Sequence, residues 1–207
     1  MNRYFYEISK KIIDISACSI AIVILSPLFL LIGVCILISS PGGSIIYSGT
    51  RTSKDGGSFK LYKFRTMVPN AENLGGPSTA LNDSRLTSIG RFLRLYKLDE
   101  LPQLFNVIKG DMSIVGPRPQ VKFYTDLYSE EEKEILSVRP GITDLSTLHY
   151  SDMDIILGDG DIDKKYQEEV EPIKNKYRLE YVENRSLKLD LEIIFKTLFK
   201  LFKSKSK

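Results

Sequence analysis

An apolar run near the N-terminus constrains the fold of this chain more than any other feature of the sequence. Residues 12–40 contain one charged side chain, that of Asp14. At a rise of about 1.5 Å per residue, an unbroken helix over this run could cross a hydrocarbon core of about 30 Å. The run is too long for the apolar part of a signal peptide, and it lacks a small-residue cleavage pattern. The sequence therefore predicts a membrane element that is not removed.

Two topologies are open for this element. Pro27, directly after Ser26, removes a backbone hydrogen bond and would kink or break a helix, while the Ser26 hydroxyl can satisfy the freed carbonyl. Basic residues flank the run on both sides: Arg3, Lys10 and Lys11 precede it, and Arg51, Lys54, Lys60, Lys63 and Arg65 follow it. Because cytoplasmic flanks are the positive ones, this symmetry favours a re-entrant hairpin. The alternative is a spanning anchor with a proline kink. Asp14 is expected at the headgroup level or paired with Lys10 or Lys11.

Composition argues against several kinds of site. The 207 residues, 43% of them hydrophobic, suffice for one domain plus an appendage. Both cysteines, Cys18 and Cys35, lie inside the apolar run, which argues against a disulfide framework and a cysteine metal site. His149 is the only histidine, so a histidine-rich metal site or a Ser-His-Asp triad lacks its residues, and we interpret His149 as structural.

An acid pair in basic surroundings is the main candidate for chemistry. Asp99 and Glu100 open a stretch with apolar residues at spacings of three and four, which predicts a short helix over Leu98–Ile108. Pro102 is tolerated only in a first turn, so the acid pair should lie at the helix start, where the dipole favours carboxylates. The basic neighbours are Arg91, Arg94, Lys97 and Arg118. The alternative is an ordinary solvated helix start.

A second cationic segment lies upstream. Residues 58–67 alternate apolar and basic side chains, which predicts a strand with Lys60, Lys63 and Arg65 along one side. Such a side suits phosphates or anionic lipid headgroups. A solvated edge strand protected by lysines is the alternative. Before it, residues 41–57 read as a linker with a short strand at residues 45–47, and residues 69–84 read as a loop.

The remaining elements are predicted from periodicity and turn residues. Expected are a helix over Leu86–Leu95, a helix over Val121–Leu136 with a Ser129–Glu132 capping box, a strand over Ile142–Tyr150 and a charged helix over Lys164–Tyr181 interrupted at Pro172. Acidic and glycine residues at 151–163 do not have the spacing of an EF-hand loop. Leu187–Lys203 is a basic amphipathic helix, which favours the membrane interface over core packing.

These features converge on phosphate chemistry at a bilayer surface. Gly116 lets backbone approach a ligand, and the prolines on either side of Arg118 fix its position. A guanidinium binds phosphate bidentately. Phosphoryl transfer needs charge neutralisation and positioning, for which one carboxylate with a magnesium ion beside it is sufficient.

The chain resembles the bacterial sugar transferases of the small, monotopic phosphoglycosyl transferase type, and the resemblance covers nearly all of it. The stretches that carry it are residues 11–14 (KIID), Ser26-Pro27, residues 62–67 (YKFRTM), residues 98–119 (LDELPQLFNVIKGDMSIVGPRP), residues 139–143 (RPGIT) and residues 181–194 (YVENRSLKLDLEII). Several long motifs in the same order make the resemblance specific.

The resemblance implies a reaction and roles for residues. It implies transfer of a sugar phosphate from a UDP-sugar to a polyprenyl phosphate such as undecaprenyl phosphate, with release of UMP. Asp99 would be the nucleophile of a covalent intermediate and Glu100 would help to bind Mg²⁺. Lys63, Arg65, Arg94 and Arg118 would contact phosphate or nucleotide. The implied fold includes a re-entrant helix broken at Ser26-Pro27.

The resulting expectation is a mainly α fold with short β elements, made of a re-entrant membrane hairpin (1–40), a catalytic domain (41–183) and a basic interfacial helix and tail (184–207). The protein would act at the cytoplasmic face of the bacterial plasma membrane in the first membrane step of surface glycan assembly. No nucleic-acid partner is expected, and a homodimer is left open. The competing interpretations are a membrane-anchored phosphatase and a non-enzymatic lipid-binding scaffold.

Two departures from the family pattern bear on substrate identity. Gly49 stands where many members have Gln, and Asp144–Leu148 replaces Gly-Trp-Ala-Gln-Val after residues 139–143. The sugar and the glycan pathway therefore cannot be transferred from the resemblance.

Overall fold

The computed structural model describes residues 3–74, 83–149 and 166–203. The helices are α1 (Arg3–Ser39), α2 (Ser88–Leu95), α3 (Gln103–Lys109), α4 (Lys122–Thr125), α5 (Leu145–His149), α6 (Glu171–Asn184) and α7 (Leu187–Lys203). The strands are β1 (Ile46–Thr52), β2 (Ser58–Phe64), β3 (Ser113–Val115) and β4 (Gly141–Thr143). The prediction of a mainly helical chain with short β elements is confirmed.

The strands form two small sheets. β1 and β2 make an antiparallel hairpin in which Ile46 pairs with Phe64 and Thr52 with Ser58. β3 and β4 pair in parallel, with Ser113 opposite Gly141. β1 extends beyond the predicted strand at residues 45–47, because residues 48–52 of the expected linker also pair with β2.

α1 is helical throughout, including Pro27, so the expected break of the helix at Ser26-Pro27 is wrong. Pro27 has no N–H to donate to the Val23 carbonyl, and the Ser26 hydroxyl donates to that carbonyl instead, at 2.8 Å. The predicted compensation by Ser26 is therefore confirmed. Within the described residues α1 is the one helix long and apolar enough to cross a membrane. Only 17% of its most apolar stretch of 18 residues is buried.

One face of α1 packs on the rest of the chain along its whole length. Apart from the adjacent Ile32 and Gly33, the buried positions lie three or four residues apart within each half of the helix, as helical periodicity requires. Half-buried Ala21, Ile22 and Leu25 continue the stripe between the halves. The fully buried positions are Tyr6, Lys10, Asp14, Cys18, Ile32, Gly33 and Ile36. The opposite face is apolar and exposed, with Ile20, Val23, Ile24, Leu30 and Ile38 all more than half exposed.

Three apolar clusters form the core, and α1 contributes to two of them. Cys18 packs with Phe59, Leu61, Val107 and Met112, and Ile32 and Ile36 pack with Phe64 and Leu93. The third cluster joins β3 to the C-terminal helices through Val115, Val138, Leu145, Tyr181, Val182 and Ile193.

A buried polar cluster ties α1 to α7 and β3. The Asp190 carboxylate accepts hydrogen bonds from Tyr6 (3.0 Å), Lys10 (2.8 Å) and Tyr181 (2.8 Å). Asp14 lies 3.8 Å from Lys10 and accepts from the Ser113 hydroxyl at 2.6 Å. The predicted pairing of Asp14 with Lys10 is confirmed, within the protein interior.

Several predicted elements differ from the structure. The expected helix over residues 98–108 is a 3₁₀ turn (Leu98–Glu100) followed by α3, and the expected helix over residues 121–136 is α4 followed by a 3₁₀ helix (Glu132–Ser137). The capping box exists: the Ser129 N–H donates to Glu132 and the Glu132 N–H to the Ser129 hydroxyl. The expected strand over residues 142–150 ends at Thr143, where α5 begins two residues later.

The C-terminal helices also refine the predictions. The charged helix expected over residues 164–181 is divided next to Pro172 into a π-helix (Tyr166–Val170) and α6. Pro172 lies in the first turn of α6, where its missing N–H costs nothing. On α7, Asp190 and Ile193 face the core, whereas Leu191, Phe195, Leu198 and Phe199 are exposed. α7 thus has both a core face and an exposed apolar face. The predicted features at residues 151–163 lie outside the described residues.

Candidate active site

The acid pair lies in the 3₁₀ turn between α2 and α3. Leu98 and Leu101, on either side of the pair, pack against the cluster around Leu93 and fix the turn. Lys97, which precedes it, has a left-handed backbone (φ 56°) that a non-glycine residue seldom adopts. The predicted position within the first turn of an α-helix is wrong, because the pair precedes α3 and closes its own short turn. Asp99 is 5% exposed.

The alternation of side chains between the two faces of β2 places Lys63 next to the acid pair. Lys63 lies on the same face of β2 as Phe59 and Leu61, which point into the core. Its Nζ atom donates to Glu100 Oε1 at 2.7 Å and lies 4.0 Å from Asp99 Oδ2. Lys60 lies on the opposite face and donates to Thr50, so the predicted single cationic side of this strand is wrong.

Arg118 reaches the acid pair from a turn that is packed directly on another backbone segment. The Gly116 N–H donates to the Thr143 carbonyl at 3.1 Å and the Gly141 N–H to the Pro117 carbonyl at 2.9 Å. A Cβ atom on Gly116 would overlap the Arg139 carbonyl, and one on Gly141 would overlap Gly116. The residues 139–143 therefore serve to hold the turn, and both glycines are required for the close approach.

The Arg118 guanidinium links the acid pair to β4. One terminal nitrogen donates to Glu100 and the other donates to the Ile142 carbonyl at 3.3 Å. Lys63 and Arg118 thus share a single carboxylate, that of Glu100. Asp99, beside it, accepts no comparable short contact from either cation within the described residues.

The two carboxylates differ electrostatically. Burial raises the pKa of Asp99, and the nearby charge of Lys63 offsets this only in part. Burial also disfavours ionisation of Glu100, but the charges of Arg118 and Lys63 outweigh it and hold the pKa of Glu100 below its ordinary value. The Glu100 charge in turn raises the pKa of Arg118. Glu100 is therefore a fixed, compensated anion, and Asp99 is a buried carboxylate with little compensation.

The other predicted ligands lie at different distances from the pair. Arg94 donates through Nε to the Thr66 hydroxyl at 3.0 Å, and burial lowers its pKa although the charge of Asp99 acts in the opposite direction. Arg65 is buried elsewhere: its guanidinium donates to the Ser40 carbonyl at the end of α1, where the helix dipole favours a cation. Its Nε and Nη1 atoms have no protein partner among the described residues.

Three residues near the site were not predicted to act there. Asp144 accepts the Arg118 backbone N–H at 3.3 Å. Burial, and then the charge of Arg178, lower the pKa of Lys174 to about 8, and Asp144 and Arg118 also act on it electrostatically. Arg51 is close enough to Arg118 for their charges to interact. The sequence signal for Asp144 was its departure from the family pattern.

The carboxylates present suit a magnesium ion held jointly with a substrate. No group of three or more metal-ligating side chains occurs in the parts of the chain that the structure describes. Mg²⁺ is commonly bound by one or two carboxylates together with substrate phosphates. Glu100 could supply a carboxylate to such an ion, and a bound diphosphate would supply further oxygens.

Comparison with known proteins shows the family to which the chain belongs. The family model described as "Bacterial sugar transferase" matches residues 5–204. The chain belongs to the bacterial sugar transferase family. The match includes most of α1, the acid pair and α7, so all three are parts of one family unit.

Curated relatives of this sugar transferase carry related names. A UDP-N-acetylgalactosamine-undecaprenyl-phosphate N-acetylgalactosaminephosphotransferase of Aeromonas hydrophila is 36% identical over 93% of this chain and 43% of its own length. The exopolysaccharide production protein ExoY of Rhizobium meliloti is 38% identical over 92% of this chain and 84% of its own. A UDP-glucose:undecaprenyl-phosphate glucose-1-phosphate transferase of Klebsiella pneumoniae is 36% identical over 95% of this chain and 41% of its own.

The chain spans less than half the length of the Aeromonas and Klebsiella relatives and most of the length of ExoY. The names of these relatives include two different sugars, N-acetylgalactosamine and glucose.

Proposed function

We propose that this sugar transferase moves a sugar-1-phosphate from a UDP-sugar to a polyprenyl phosphate, with undecaprenyl phosphate as the acceptor. The products are polyprenyl-diphosphate-sugar and UMP, and the reaction would be the first membrane step in assembling a surface glycan. The observation that carries the proposal is the buried, little-compensated Asp99 carboxylate beside a Glu100 that holds two cations. The names of the relatives support the substrate classes.

The mechanism has two displacements at one phosphorus atom. An Asp99 oxygen attacks the phosphorus that carries the sugar, an O–P bond to Asp99 forms, and the bond to UMP breaks. An oxygen of the polyprenyl phosphate then attacks the same phosphorus and releases the Asp99 carboxylate. Such a carboxylate nucleophile splits one difficult exchange into two easier steps and gives ping-pong kinetics.

Burial prepares Asp99 for the first displacement. A carboxylate with few hydrogen-bond donors around it has lost much of its solvation, so less solvent must be displaced when it attacks. Lys63 and Arg118, held by Glu100 next to it, can neutralise the phosphoryl oxygens as they approach. Arg94, held by Thr66 and within electrostatic range of Asp99, would contribute a third positive charge.

Glu100 is assigned the role of a fixed anchor. It keeps Lys63 and Arg118 beside the nucleophile and would be the protein ligand of Mg²⁺, together with the diphosphate. When bound, Mg²⁺ neutralises charge on the diphosphate and orients it. Arg65 is left out of this mechanism, because its guanidinium donates to the Ser40 carbonyl and its other nitrogens, Nε and Nη1, are buried.

We infer that α1 is re-entrant, with both ends on the cytoplasmic side. The first half of α1 contacts Asp190 and Ser113. The second half packs on Leu93, and the Arg65 guanidinium contacts the carbonyl that directly follows it. Because both halves of α1 pack on the same domain, both ends of the helix are expected on the same side of the bilayer. A helix that crossed the bilayer would have only one of its ends beside the domain. The exposed apolar face of α1 and that of α7 would then lie in the bilayer and its interface.

The test is release of UMP from a panel of UDP-sugars, with and without undecaprenyl phosphate and Mg²⁺, for the wild type and for Asp99→Asn. We expect sustained release that needs the lipid and the metal and is lost in the variant. Release of sugar phosphate to water without lipid would instead identify a phosphatase. Lipid binding with no turnover, unchanged in the variant, would identify a scaffold.

A further inference from the structure

Asp144 is a buried carboxylate whose two oxygens have different partners. It is 1% exposed. Oδ1 accepts the Thr147 N–H at 2.8 Å, which is the contact of a helix N-cap at the start of α5. Oδ2 accepts the Ser146 hydroxyl at 2.5 Å and the Arg118 backbone N–H at 3.3 Å. A carboxylate that served only as a cap would need the first of these contacts alone.

The Arg118 N–H is an unusual donor because of its neighbours. Pro117 and Pro119 have no N–H, so the turn between Gly116 and Gln120 has one backbone donor at its apex. That donor faces Asp144, and the guanidinium of the same residue faces Glu100 and the Ile142 carbonyl. Arg118 is thus held at its backbone by one carboxylate and at its tip by another. The charge of Asp144 also helps to raise the pKa of Arg118, after that of Glu100.

We propose that Asp144 is a positioning residue for Arg118: it fixes the backbone of the turn so that the guanidinium is directed at the acid pair. The effect of Asp144 on catalysis rests on the proposed function, whereas its effect on the turn does not.

Two variants separate the positioning role from the capping role. In Asp144→Ser the hydroxyl caps α5 as well as a carboxylate does but supplies no second oxygen for Arg118. In Asp144→Asn, an amide oxygen that caps Thr147 leaves its NH₂ group facing the Arg118 N–H, donor against donor. Asp126→Asn, an exposed carboxylate paired only with Lys122 among the described contacts, is the matched control.

The first measurement is hydrogen exchange of the peptide covering residues 116–120, which has only three amide hydrogens because of its two prolines. We expect faster exchange there in both Asp144 variants, with the α5 peptide and the melting temperature near those of the wild type. Exchange unchanged from the control would overturn the proposal, whatever reaction the protein catalyses.

The second measurement is UMP release. We expect kcat to fall about tenfold or more in both variants, with a smaller change in the KM for the donor, since a misdirected group lowers the rate more than the binding. In a double-mutant cycle, Arg118→Lys should cost less in the Asp144→Ser background than in the wild type. Wild-type rates in the Asp144 variants would show that Asp144 is only a helix cap. Free-energy losses of Asp144→Ser and Arg118→Lys that add in the double variant would show the same. If the wild type itself released no UMP while exchange at residues 116–120 changed as expected, the proposed function would fail and the positioning role would stand.

Discussion

At the scale of single residues, the site depends on the difference between two adjacent carboxylates. Glu100 is compensated by Lys63 and Arg118, whereas Asp99 is buried with Lys63 no nearer than 4.0 Å. Adjacent residues in a 3₁₀ turn point in different directions, so neighbours in sequence meet different surroundings. The sequence identified the pair but could not say which carboxylate would be compensated, because that depends on strand parity in β2 and on the turn at Arg118.

The pH dependence of the first displacement should report this difference. In the proposed mechanism Asp99 attacks as the ionised carboxylate, and burial raises its pKa, so the acid limb of kcat/KM for the donor should lie above the ordinary range of an aspartate. Because the Lys63 charge lowers the same pKa, Lys63→Met should move the limb to still higher pH. A limb that stays in place or moves down in this variant would contradict the assignment.

Arg118 should not tolerate replacement by lysine. Its two terminal nitrogens contact Glu100 and the Ile142 carbonyl separately, and a single ammonium cannot reproduce that fork. We expect Arg118→Lys to lower kcat by about 10- to 100-fold. Arg91→Lys, on the exposed side of α2, is the matched control and should behave as the wild type. Equal rates for the two variants would show that only the charge of Arg118 matters.

At the scale of elements, local patterns were most reliable where local contacts decide the structure. The Ser129–Glu132 capping box and the Ser26 bond to Val23 were predicted and are present. The long helix expected over residues 98–108 divides because Leu98 and Leu101 pack with Leu93, whereas Val107 packs with Met112. The apolar residues of this one stretch thus pack into two different clusters. The strand expected over residues 142–150 is shortened to β4 because Asp144, directly after it, caps α5.

The role of Ser26-Pro27 can be tested through the topology of α1. Replacing both residues by Ala and Leu restores the missing backbone hydrogen bond and should favour a spanning helix. In a background with Cys18 and Cys35 replaced, Arg3→Cys should then react with an impermeant thiol reagent in intact cells. With Ser26-Pro27 present, neither Arg3→Cys nor the reference Lys54→Cys should react until the membrane is permeabilised. Labelling of Arg3→Cys in intact cells while Ser26 and Pro27 are present would contradict a re-entrant α1.

At the scale of the whole molecule, apolar surface is exposed on the outer face of α1 and on one face of α7. On α7, Phe195 and Phe199 are 67% and 69% exposed, while Asp190 and Ile193 on another face are buried. The sequence left interface and core as alternatives for this helix. The structure shows a third arrangement, in which separate faces serve the core, the exposed apolar surface and the polar side that carries Lys196.

The orientation of α7 at a bilayer can be measured because the chain contains no tryptophan. Phe195→Trp should give blue-shifted emission that is quenched by brominated lipids, since its side chain would lie among acyl chains. Lys196→Trp, on the polar side, should remain unquenched. Equal quenching of the two probes, or none of either, would contradict an interfacial α7.

The central claim is tested most directly by the covalent intermediate. The protein is incubated with a reactive UDP-sugar and Mg²⁺ without acceptor lipid, and its intact mass and tryptic peptides are measured. A mass increase of one sugar phosphate on the peptide that contains Asp99, absent in Asp99→Asn and discharged by undecaprenyl phosphate, is the predicted result. Turnover without any adduct, or an adduct on another residue, would contradict the account.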